Sequence, residues 1–317
     1  MFEARQLVFY YAVTPVHMGA GSAIGAIDSP IQREVHTRHP MFAGAGLKGA
    51  LRHHVSRAWP GEKDRTGLIN RIFGPDTGAS DFAGALSLTD AQLVALPVRS
   101  LKGGFAWVSS PVALARLKRL AELAGVTAEW KVPGVAENQA LMAADGLLVD
   151  GKPNGKLILE AFEFKKAEGD CAVIAKWLAE NAFTEANAYF ADKLKTDLVV
   201  LSDTDFAHFA RHAMVVEPHV RINDESGTAD DGGLFYVENL PPESILVGLA
   251  QASIERYKKG ERDKVAERMD KAQDVLDIVL KGKGDLPGIA GKPLQIGGDA
   301  STGRGLVIVQ AVAGGEQ

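Results

Sequence analysis

Three short segments of the 317-residue chain carry side chains that could bind or act on a phosphate. In the first, AIDSP, Asp28 lies on a glycine-bearing loop between a predicted strand and a predicted helix. A carboxylate in such a loop, close to basic residues, can bind Mg²⁺ or orient a reacting hydroxyl. An aspartate before Ser-Pro can equally accept a local hydrogen bond in an Asx turn. The residue pattern alone leaves both roles open for Asp28.

The second segment, GAGLKGALR (44–52), combines small residues with two cations at the start of a predicted helix. Gly44 and Gly46 allow close approach of another backbone, and the N-terminus of a helix attracts anions. Lys48 and Arg52 are four residues apart and therefore share one helix face. The alternative is that both cations only solvate the outer face of the helix. The segment is a candidate phosphate site with that structural alternative beside it.

The third segment, GGDASTGRG (297–305), has glycines with the spacing of a nucleotide-binding P-loop. Arg304 and Gly305 stand where a P-loop requires Lys and Ser/Thr, and a strand follows where a helix is required. These departures exclude a nucleoside triphosphatase. The exposed N–H groups, the hydroxyls of Ser301 and Thr302, and Arg304 suit a phosphate or a nucleic-acid backbone. A long flexible turn is the alternative.

The histidines and the single cysteine form no recognisable catalytic or metal-binding set. His208 and His212 are four residues apart on a predicted helix but lack the glutamate of an HExxH zinc site. Cys171 cannot form an internal disulfide, which favours a reducing cytoplasm. The glycines from Gly19 to Gly25 resemble a dinucleotide loop only loosely, because Asp-Ser-Pro follows and cannot open the required helix.

The charge of the chain is unevenly distributed. The formal net charge is −5, yet residues 1–72 contain nine Lys/Arg and five Asp/Glu, so that 9 − 5 = +4 and the remainder carries −9. An acidic total argues against a protein that simply coats nucleic acid. A basic N-terminal third indicates a local anionic ligand. Since no run of 18 apolar residues exists and no apolar stretch opens the chain, we expect neither a membrane span nor a signal peptide.

The elements that must position these residues predict an α+β fold with an RRM-like (ferredoxin-like) core. The predicted strands are Gln6–Val13, Ala85–Leu88, Gly104–Val108, Leu157–Phe164, Met214–Ile222, Gly233–Glu238, Ile245–Ala252, Leu294–Ile296 and Leu306–Val312. The predicted helices cover Leu47 to Trp59, Thr66–Phe73, Val112–Ala124, Ala172–Phe183, Glu185–Lys193, Asp205–His212 and Arg262–Leu280. The polar stretch Asn223–Gly232 separates two strands and predicts a long hairpin.

Several motifs occur together in a fixed order: TPVHMGAG (14–21), DSPIQRE (28–34), His39-Pro40, GLKGALR (46–52) and IGG…TGRG (296–305). In this combination the chain resembles the RAMP superfamily of CRISPR-associated proteins. Within that superfamily it resembles the repeated backbone subunit of the type III-B (Cmr) RNA-guided effector complex. The resemblance is strong at both ends of the chain, whereas residues 75–210 match only in length and general character.

The resemblance implies a single elaborated domain over residues 1–317. Its RRM-like core would cover about 1–75 and 240–317, its helical insertion about 75–212, and a projecting β-hairpin thumb about 213–239. Copies would stack along a CRISPR guide RNA together with other Cmr subunits, away from any membrane. The complementary target RNA would be cut at regular intervals, once per subunit, with a divalent metal, Mg²⁺ or alternatively Mn²⁺.

The resemblance also implies roles for individual residues. Asp28 matches the family's catalytic aspartate and would bind the metal, with His17, Tyr236 and Glu238 as helpers near the cleavage site. The implied RNA-binding set is Arg38, Gly44, Gly46, Lys48, Arg52, Gly297, Gly298, Ser301, Thr302, Gly303 and Arg304. The family has serines where Ala45 and Gly46 stand, so the chain lacks two hydroxyl contacts to the guide backbone while the N–H contacts remain.

Two other functions fit the same residues. A structural subunit of this superfamily would hold guide RNA without cutting, and replacing Asp28 would then change nothing. A guide-precursor processing nuclease would use His17 as a general base and would cut in the presence of EDTA. The aspartate of IDSPIQRE favours the metal-dependent cleavage of target RNA.

Overall fold

The computed structural model describes residues 2–22, 25–59, 63–77, 82–149, 155–257, 260, 265, 268–312 and 314, and it has a mixed α+β fold. The strands are β1 (Ala4–Ala12), β2 (Met41–Phe42), β3 (Leu86–Leu88), β4 (Ala91–Ser100), β5 (Gly104–Ser109), β6 (Gln139–Met142), β7 (Lys156–Leu159), β8 (Phe162–Lys166), β9 (Leu198–Leu201), β10 (Val215–Ile222), β11 (Ala229–Asn239), β12 (Ile245–Ala252), β13 (Gly282–Lys283), β14 (Leu286–Pro287), β15 (Lys292–Gln295) and β16 (Leu306–Val312). The helices are α1 (Gly44–Ala58), α2 (Lys63–Phe73), α3 (Pro111–Leu123), α4 (Ala172–Ala182), α5 (Ala188–Asp197), α6 (Asp203–His212) and α7 (Ala272–Leu280). Short 3₁₀ turns cover Asp145–Leu147, Glu185–Asn187 and Ala300–Thr302.

Strand β1 lies in the middle of the main sheet, antiparallel to β12 on one side and to β16 on the other. Its side chains are buried on both faces, with Val8 and Tyr10 in one core and Leu7, Phe9 and Tyr11 in the other. A strand covered on both faces has no reason to alternate with polar residues, which explains its continuous apolar run. The prediction of a buried first strand is confirmed.

Helices cover both faces of this sheet. α7 packs on β1 and β12, whereas α3 and α4 pack on the opposite face of β1. α1 buries Leu47, Leu51 and Val55, the predicted apolar positions four residues apart. Trp59 directly follows the helix, and its indole N–H donates to Pro287 O at 3.0 Å. The predicted α1 is therefore confirmed and opens at Gly44.

Strand β4 connects this sheet to the central part of the chain, and the sequence did not predict it. Its first half pairs with β12 and its second half with β5. Strands β4, β5, β9, β6, β8 and β7 pair in turn and close into a barrel-like ring. Pro97 lies inside β4, opposite Trp107, and a proline normally argues against a central strand because it lacks an N–H donor.

Two predicted elements of the central and C-terminal parts were wrong in extent. The single strand Leu157–Phe164 is a hairpin, because β7 and β8 are joined by a two-residue turn in which Glu160 has a φ of 52°. The segment carries none of the Gly, Asn or Asp residues that mark such turns. The helix predicted from Arg262 begins only at Ala272, and the described residues before it are not helical. The sequence also predicts a Glu267–Lys271 pair in this helix, and Glu267 lies outside the described residues.

Two further boundaries shift. The helix predicted over Glu185–Lys193 is a 3₁₀ turn followed by α5, which continues to Asp197. The long hairpin is present as β10 and β11, but β11 begins at Ala229 rather than at Gly233. The connecting turn, from Asn223 to Thr228, is closed by the Asn223 side chain, which accepts from the N–H groups of Glu225 and Ser226 at 3.0 Å.

The described residues add two negative findings to the fold. No helix among them is long and apolar enough to cross a bilayer. Cys171 is a free, buried thiol, and burial together with the charge of Asp170 raises its pKa to about 12. A thiol that keeps its proton at neutral pH is inert as a nucleophile.

The turn before β12 buries a carboxyl group without a partner. Glu243 has a φ of 68°, its N–H donates to Ala12 O at 2.7 Å, and its carbonyl accepts from the Trp107 indole at 2.7 Å. Its Oε2 is buried and has no hydrogen-bond partner. Burial raises the pKa of Glu243 to about 7. The folded protein therefore binds this proton more tightly than the unfolded chain.

Glu243→Gln is expected to stabilise the protein above pH 7 and to leave its stability unchanged near pH 4. The raised pKa means that wild-type stability is fully present below the ordinary glutamate pKa and is lost as the pH rises towards 7. We expect a gain on the order of 1 kcal/mol, since remaining solvent screens part of the charge, or about 2 °C in Tm. Thermal melts at pH 4 and pH 8 measure this gain. The exposed Glu129→Gln is the matched control, and equal shifts at both pH values would contradict the prediction.

Candidate functional site

The segment between β1 and α1, predicted as a loop, is folded back on itself and attached to β11. Gln32 N donates to Met18 O and Ala20 N donates to Pro30 O, both at 2.8 Å. Val16 and Leu240 exchange two backbone hydrogen bonds of 2.9 Å. The loop is thus a backbone-paired platform at the base of the hairpin.

Asp28 is fixed on this platform by the backbone of Tyr236. The N–H groups of Asp28 and Ser29 both donate to Tyr236 O at 3.1 Å, and Tyr236 N donates to Asp28 Oδ2 at 2.7 Å. Glu238 N then donates to Ser29 O at 3.0 Å, which continues the pairing along β11. The Asp28 side chain remains exposed. The carboxylate accepts a hydrogen bond from the hairpin, across the chain, instead of closing a local Asx turn.

Glu238 and Arg33 form a buried ion pair under the platform. Arg33 Nη2 lies 2.6 Å from Glu238 Oε1, and Ile31 N donates to Glu238 Oε2 at 3.0 Å. The two side chains are only 9% and 4% exposed. Both carboxylate oxygens of Glu238 are therefore occupied, and this residue positions the loop that carries Asp28.

His17 contacts the same stretch of β11. Its Nδ1 lies 2.7 Å from Glu238 O, and since a carbonyl only accepts, Nδ1 carries the proton. In the tautomer that carries its single proton on Nδ1, Nε2 is the acceptor. His17 and Asp28 bond to residues 238 and 236, which are roughly 7 Å apart along a strand. Asp28 and His17 are thus attached to β11 two residues apart.

The glycine-rich loop is held against His17. Gly298 N donates to His17 O at 2.8 Å, and Gly305 N donates to Pro15 O at 2.8 Å. Gly297 has a φ of 71° and a Cβ there would collide with His17 O, so that only glycine fits this position. These bonds attach the glycine-rich loop to the segment after β1, which argues against the alternative of a flexible turn.

The outer part of this loop faces solvent and touches the hairpin. Ser301, Thr302 and Gly303 are exposed. Arg304 Nη2 lies 2.6 and 2.8 Å from the two carboxylate oxygens of Glu217 on β10. A phosphate can thus reach the hydroxyls directly, whereas Arg304 is engaged with the hairpin.

The start of α1 already holds a carboxylate from within the chain. Gly44 N donates to Asp90 Oδ1 at 2.7 Å, and a Cβ on Gly44 would collide with Leu88 O. Gly44 is therefore buried for structural reasons, while Ala45 and Gly46 are exposed. The sequence analysis missed Asp90, which satisfies one of the free N–H groups at the helix N-terminus.

The two cations of α1 differ in their surroundings. Arg52 donates to Asn70 Oδ1 at 2.7 Å and to Gly74 O, and it pairs with Asp76 at 2.8 Å. Arg52 thus fastens α1 to the end of α2. Lys48 is half-buried, and burial together with the charge of Arg52 lowers its pKa. The two residues lie on one face, as predicted, but Arg52 also has internal partners.

A cleft of about 380 Å³ opens beside Asp28. Its lining is Ala20, Ile27, Pro30, Ile31, Arg33, Arg38, Arg211 and Glu238. Arg38 is exposed and has a φ of 63°, which is unusual for a residue other than glycine. Arg211 comes from the last turn of α6. The sequence analysis missed Arg33 and Arg211, because no spacing pattern connects α6 with the loop after β1.

Asp28 is the residue of this site that could bind a divalent metal. No group of three or more His, Cys, Asp or Glu side chains suited to a metal occurs in the described part of the chain, His208 and His212 included. Mg²⁺ commonly takes only one or two carboxylates and completes its shell with phosphate oxygens and water. The exposed Asp28 carboxylate can supply one such ligand, and RNA phosphates would have to supply others.

Known proteins resemble this chain in sequence and in fold. The RAMP superfamily model matches residues 9–308. The "CRISPR system Cmr endoribonuclease Cmr4" of Pyrococcus furiosus is 34% identical over 307 residues, which cover 96% of this chain and 94% of the relative. The crystal structure of oligomeric Cmr4 from the same organism has a TM-score of 0.67 at 29% identity and covers 97% of both chains. A cryo-EM structure of type III-B Cmr-beta bound to cognate target RNA has a TM-score of 0.70 at 17% identity, covers 98% of both chains, and is similar in fold.

Proposed function

Because the chain belongs to the RAMP superfamily, we propose that it is the repeated, guide-RNA-binding backbone subunit of a type III-B CRISPR effector complex and that it cleaves complementary target RNA at Asp28. The observation that carries this proposal is the placement of Asp28. Its exposed carboxylate is pinned by backbone hydrogen bonds to the base of the hairpin, two residues along β11 from the contact of His17. The name of the Pyrococcus relative supports the nuclease activity.

The proposed architecture is an RRM-like core with a β-hairpin thumb. Strands β16, β1, β12 and β3 lie side by side and antiparallel, and the chain visits them in the order β1-α1-β3-β12-α7-β16. That βαββαβ order supports an RRM-like core. The outer halves of β10 and β11 carry exposed apolar side chains, among them Val220, Ile222 and Leu234. Such side chains suit a thumb that separates stacked bases.

The proposed guide-binding surface consists of the exposed backbone around Gly46, Lys48 and the tip of the glycine-rich loop. Lys48 and the hydroxyls of Ser301 and Thr302 can contact phosphates as they stand. Arg52 and Arg304 would first have to share or exchange their internal acid partners, Asp76 and Glu217. Sequence recognition would come from base pairing between guide and target, so the protein needs only to hold the backbone.

The proposed chemistry is attack of a ribose 2′-OH on the phosphorus of the 3′-phosphodiester attached to the same ribose. The hairpin displaces one nucleotide so that O2′, phosphorus and O5′ come into line, which is mainly a positioning effect. His17 Nε2 accepts the 2′-OH proton, the O2′–P bond forms, and the P–O5′ bond breaks to leave a 2′,3′-cyclic phosphate. The departing 5′-oxygen takes a proton from water and becomes the 5′-OH. Asp28 would hold Mg²⁺ or Mn²⁺, which when bound there neutralises the charge that develops on the phosphate.

The complex reconstituted with a defined guide and an end-labelled complementary RNA tests the function. With Mg²⁺ we expect a ladder of products at regular intervals, one cut per copy of this chain, and with EDTA we expect none. Intact target with undiminished binding would instead leave the chain a guide-holding scaffold. Cutting that persists in EDTA would point to a metal-independent nuclease in which His17 acts alone.

A further inference from the structure

The cleft beside Asp28 is built around one buried arginine. Ile27 and Pro30, which flank Asp28 in the chain, form part of its wall, and the Arg33–Glu238 pair lies at its base. Arg38, from the loop, and Arg211, from α6, complete the lining. The cleft is therefore shared between the loop that carries Asp28 and the insertion.

Arg33 holds the two other arginines in place. Its Nη1 donates to Arg38 O at 2.7 Å and to Ala210 O at 2.8 Å, and its Nη2 reaches Arg211 O at 3.3 Å. Arg211 Nη2 in turn donates to Thr37 O at 3.4 Å. One buried guanidinium thus fixes the backbone on both sides of the cleft. The backbone positions of Arg38 and Arg211 are therefore set before any ligand binds.

The charge of the lining is positive. Glu238 balances Arg33 within the buried pair, which leaves the charges of Arg38 and Arg211 for a ligand, and both residues are exposed. Guanidinium groups bind phosphate through paired, charge-assisted hydrogen bonds. A cleft of about 380 Å³ also has room for a nucleotide unit rather than for a lone ion. The site is suited to a phosphodiester of a polynucleotide that passes Asp28.

We propose that Arg211, together with Arg38, binds a phosphate of the target RNA strand beside the linkage that Asp28 cleaves. The inference rests on the proposed function. We assign the phosphate to the target RNA, because Ile27 and Pro30 on either side of Asp28 line the cleft. Lys48 and Ser301, which belong to the proposed guide-binding surface, do not line it. The insertion, through α6, thereby contributes a substrate-binding residue that aligns the reacting phosphate.

The test compares Arg211→Ala with Arg119→Ala, a matched change of an exposed arginine on α3, in the assembled complex. Under saturating target, single-turnover cleavage is expected to fall about 10- to 100-fold in Arg211→Ala and to stay at the wild-type rate in Arg119→Ala. Arg211→Lys should restore part of the rate. A target with one neutral methylphosphonate beside the cleavage position should slow the wild type by a similar factor and should slow Arg211→Ala no further.

The outcomes separate this inference from the proposed function. If wild type cleaves, Asp28→Ala does not, and Arg211→Ala behaves like Arg119→Ala, the phosphate site is overturned and the function stands. If wild type cleaves nothing, the proposed function fails. The phosphate site is then tested by the affinity of each variant for a short complementary RNA that carries a 2′-deoxy residue at the expected cleavage position. Weaker binding to Arg211→Ala then supports the site, and equal binding overturns it. Failure of Arg211→Ala copies to assemble would make the cleft a protein interface and would also overturn it.

Discussion

Asp28→Ala is expected to lower the cleavage of complementary RNA by at least about 100-fold while leaving guide binding unchanged. The exposed carboxylate is the proposed metal ligand at the reaction site, and the described residues contain no group of three or more His, Cys, Asp or Glu side chains that would form a separate metal site. Single-turnover assays on the reconstituted complex, with a labelled target and a filter-binding measurement of the guide, give both quantities.

Asp28→Asn is the control that separates charge from anchoring. Its amide oxygen can still accept the hydrogen bond from Tyr236 N, so the loop should stay attached to β11. We expect this variant to be as inactive as Asp28→Ala, because an amide is a poor ligand for Mg²⁺ compared with a carboxylate. Cleavage by Asp28→Asn at the wild-type rate would show that the side chain serves only to anchor the hairpin.

Glu238→Ala is expected to destabilise the protein by about 3–5 kcal/mol, because it leaves the charge of Arg33 buried without its partner. The change also removes the acceptor of Ile31 N. Since Arg33 and Ile31 belong to the loop that carries Asp28, cleavage should fall together with stability. Urea denaturation followed by circular dichroism measures the free energy of unfolding.

Two further variants test whether the loss of stability comes from burying an unpaired charge. Glu217→Ala breaks the Glu217–Arg304 pair, whose side chains are 29% and 23% exposed, and should cost no more than about 1 kcal/mol. The double variant Arg33→Met/Glu238→Leu removes both buried charges and should recover much of the stability, but not the cleavage. Equal losses in Glu238→Ala and Glu217→Ala would contradict a buried, uncompensated charge.

The parts of the fold that sequence could predict are those with strong local patterns. The apolar run of β1, the four-residue spacing of α1 and the final strand β16 each depend on side chains within one element. The polar stretch between β10 and β11 likewise predicted a hairpin. Asp28 and the glycine-rich loop were predicted as candidates from their residue types, whereas the role of His17 was predicted from the family resemblance.

The remainder depends on contacts between distant segments. Glu238 appeared as a helper of catalysis, and only its pairing with Arg33, 205 residues away in sequence, shows that it positions the loop. Arg211 lies in a helix whose own pattern gives no sign of a ligand. Strand β4 was not predicted, because Pro97 disfavours a strand within its own segment. Its pairing with β5 and β12 stabilises the strand in spite of this proline.

The attachment of the hairpin separates its length from the position of the reacting carboxylate. The hydrogen bonds that the hairpin makes to Asp28 and His17 all come from residues 236–238, while the turn ends at Thr228, roughly 26 Å away along the strand at about 3.3 Å per residue. Paired residues can therefore be added or removed near the turn without moving Asp28, provided that the strand register is kept. The reach of the hairpin into bound RNA and the chemistry at its base are in this sense independent modules, and each could be redesigned while the other is held constant.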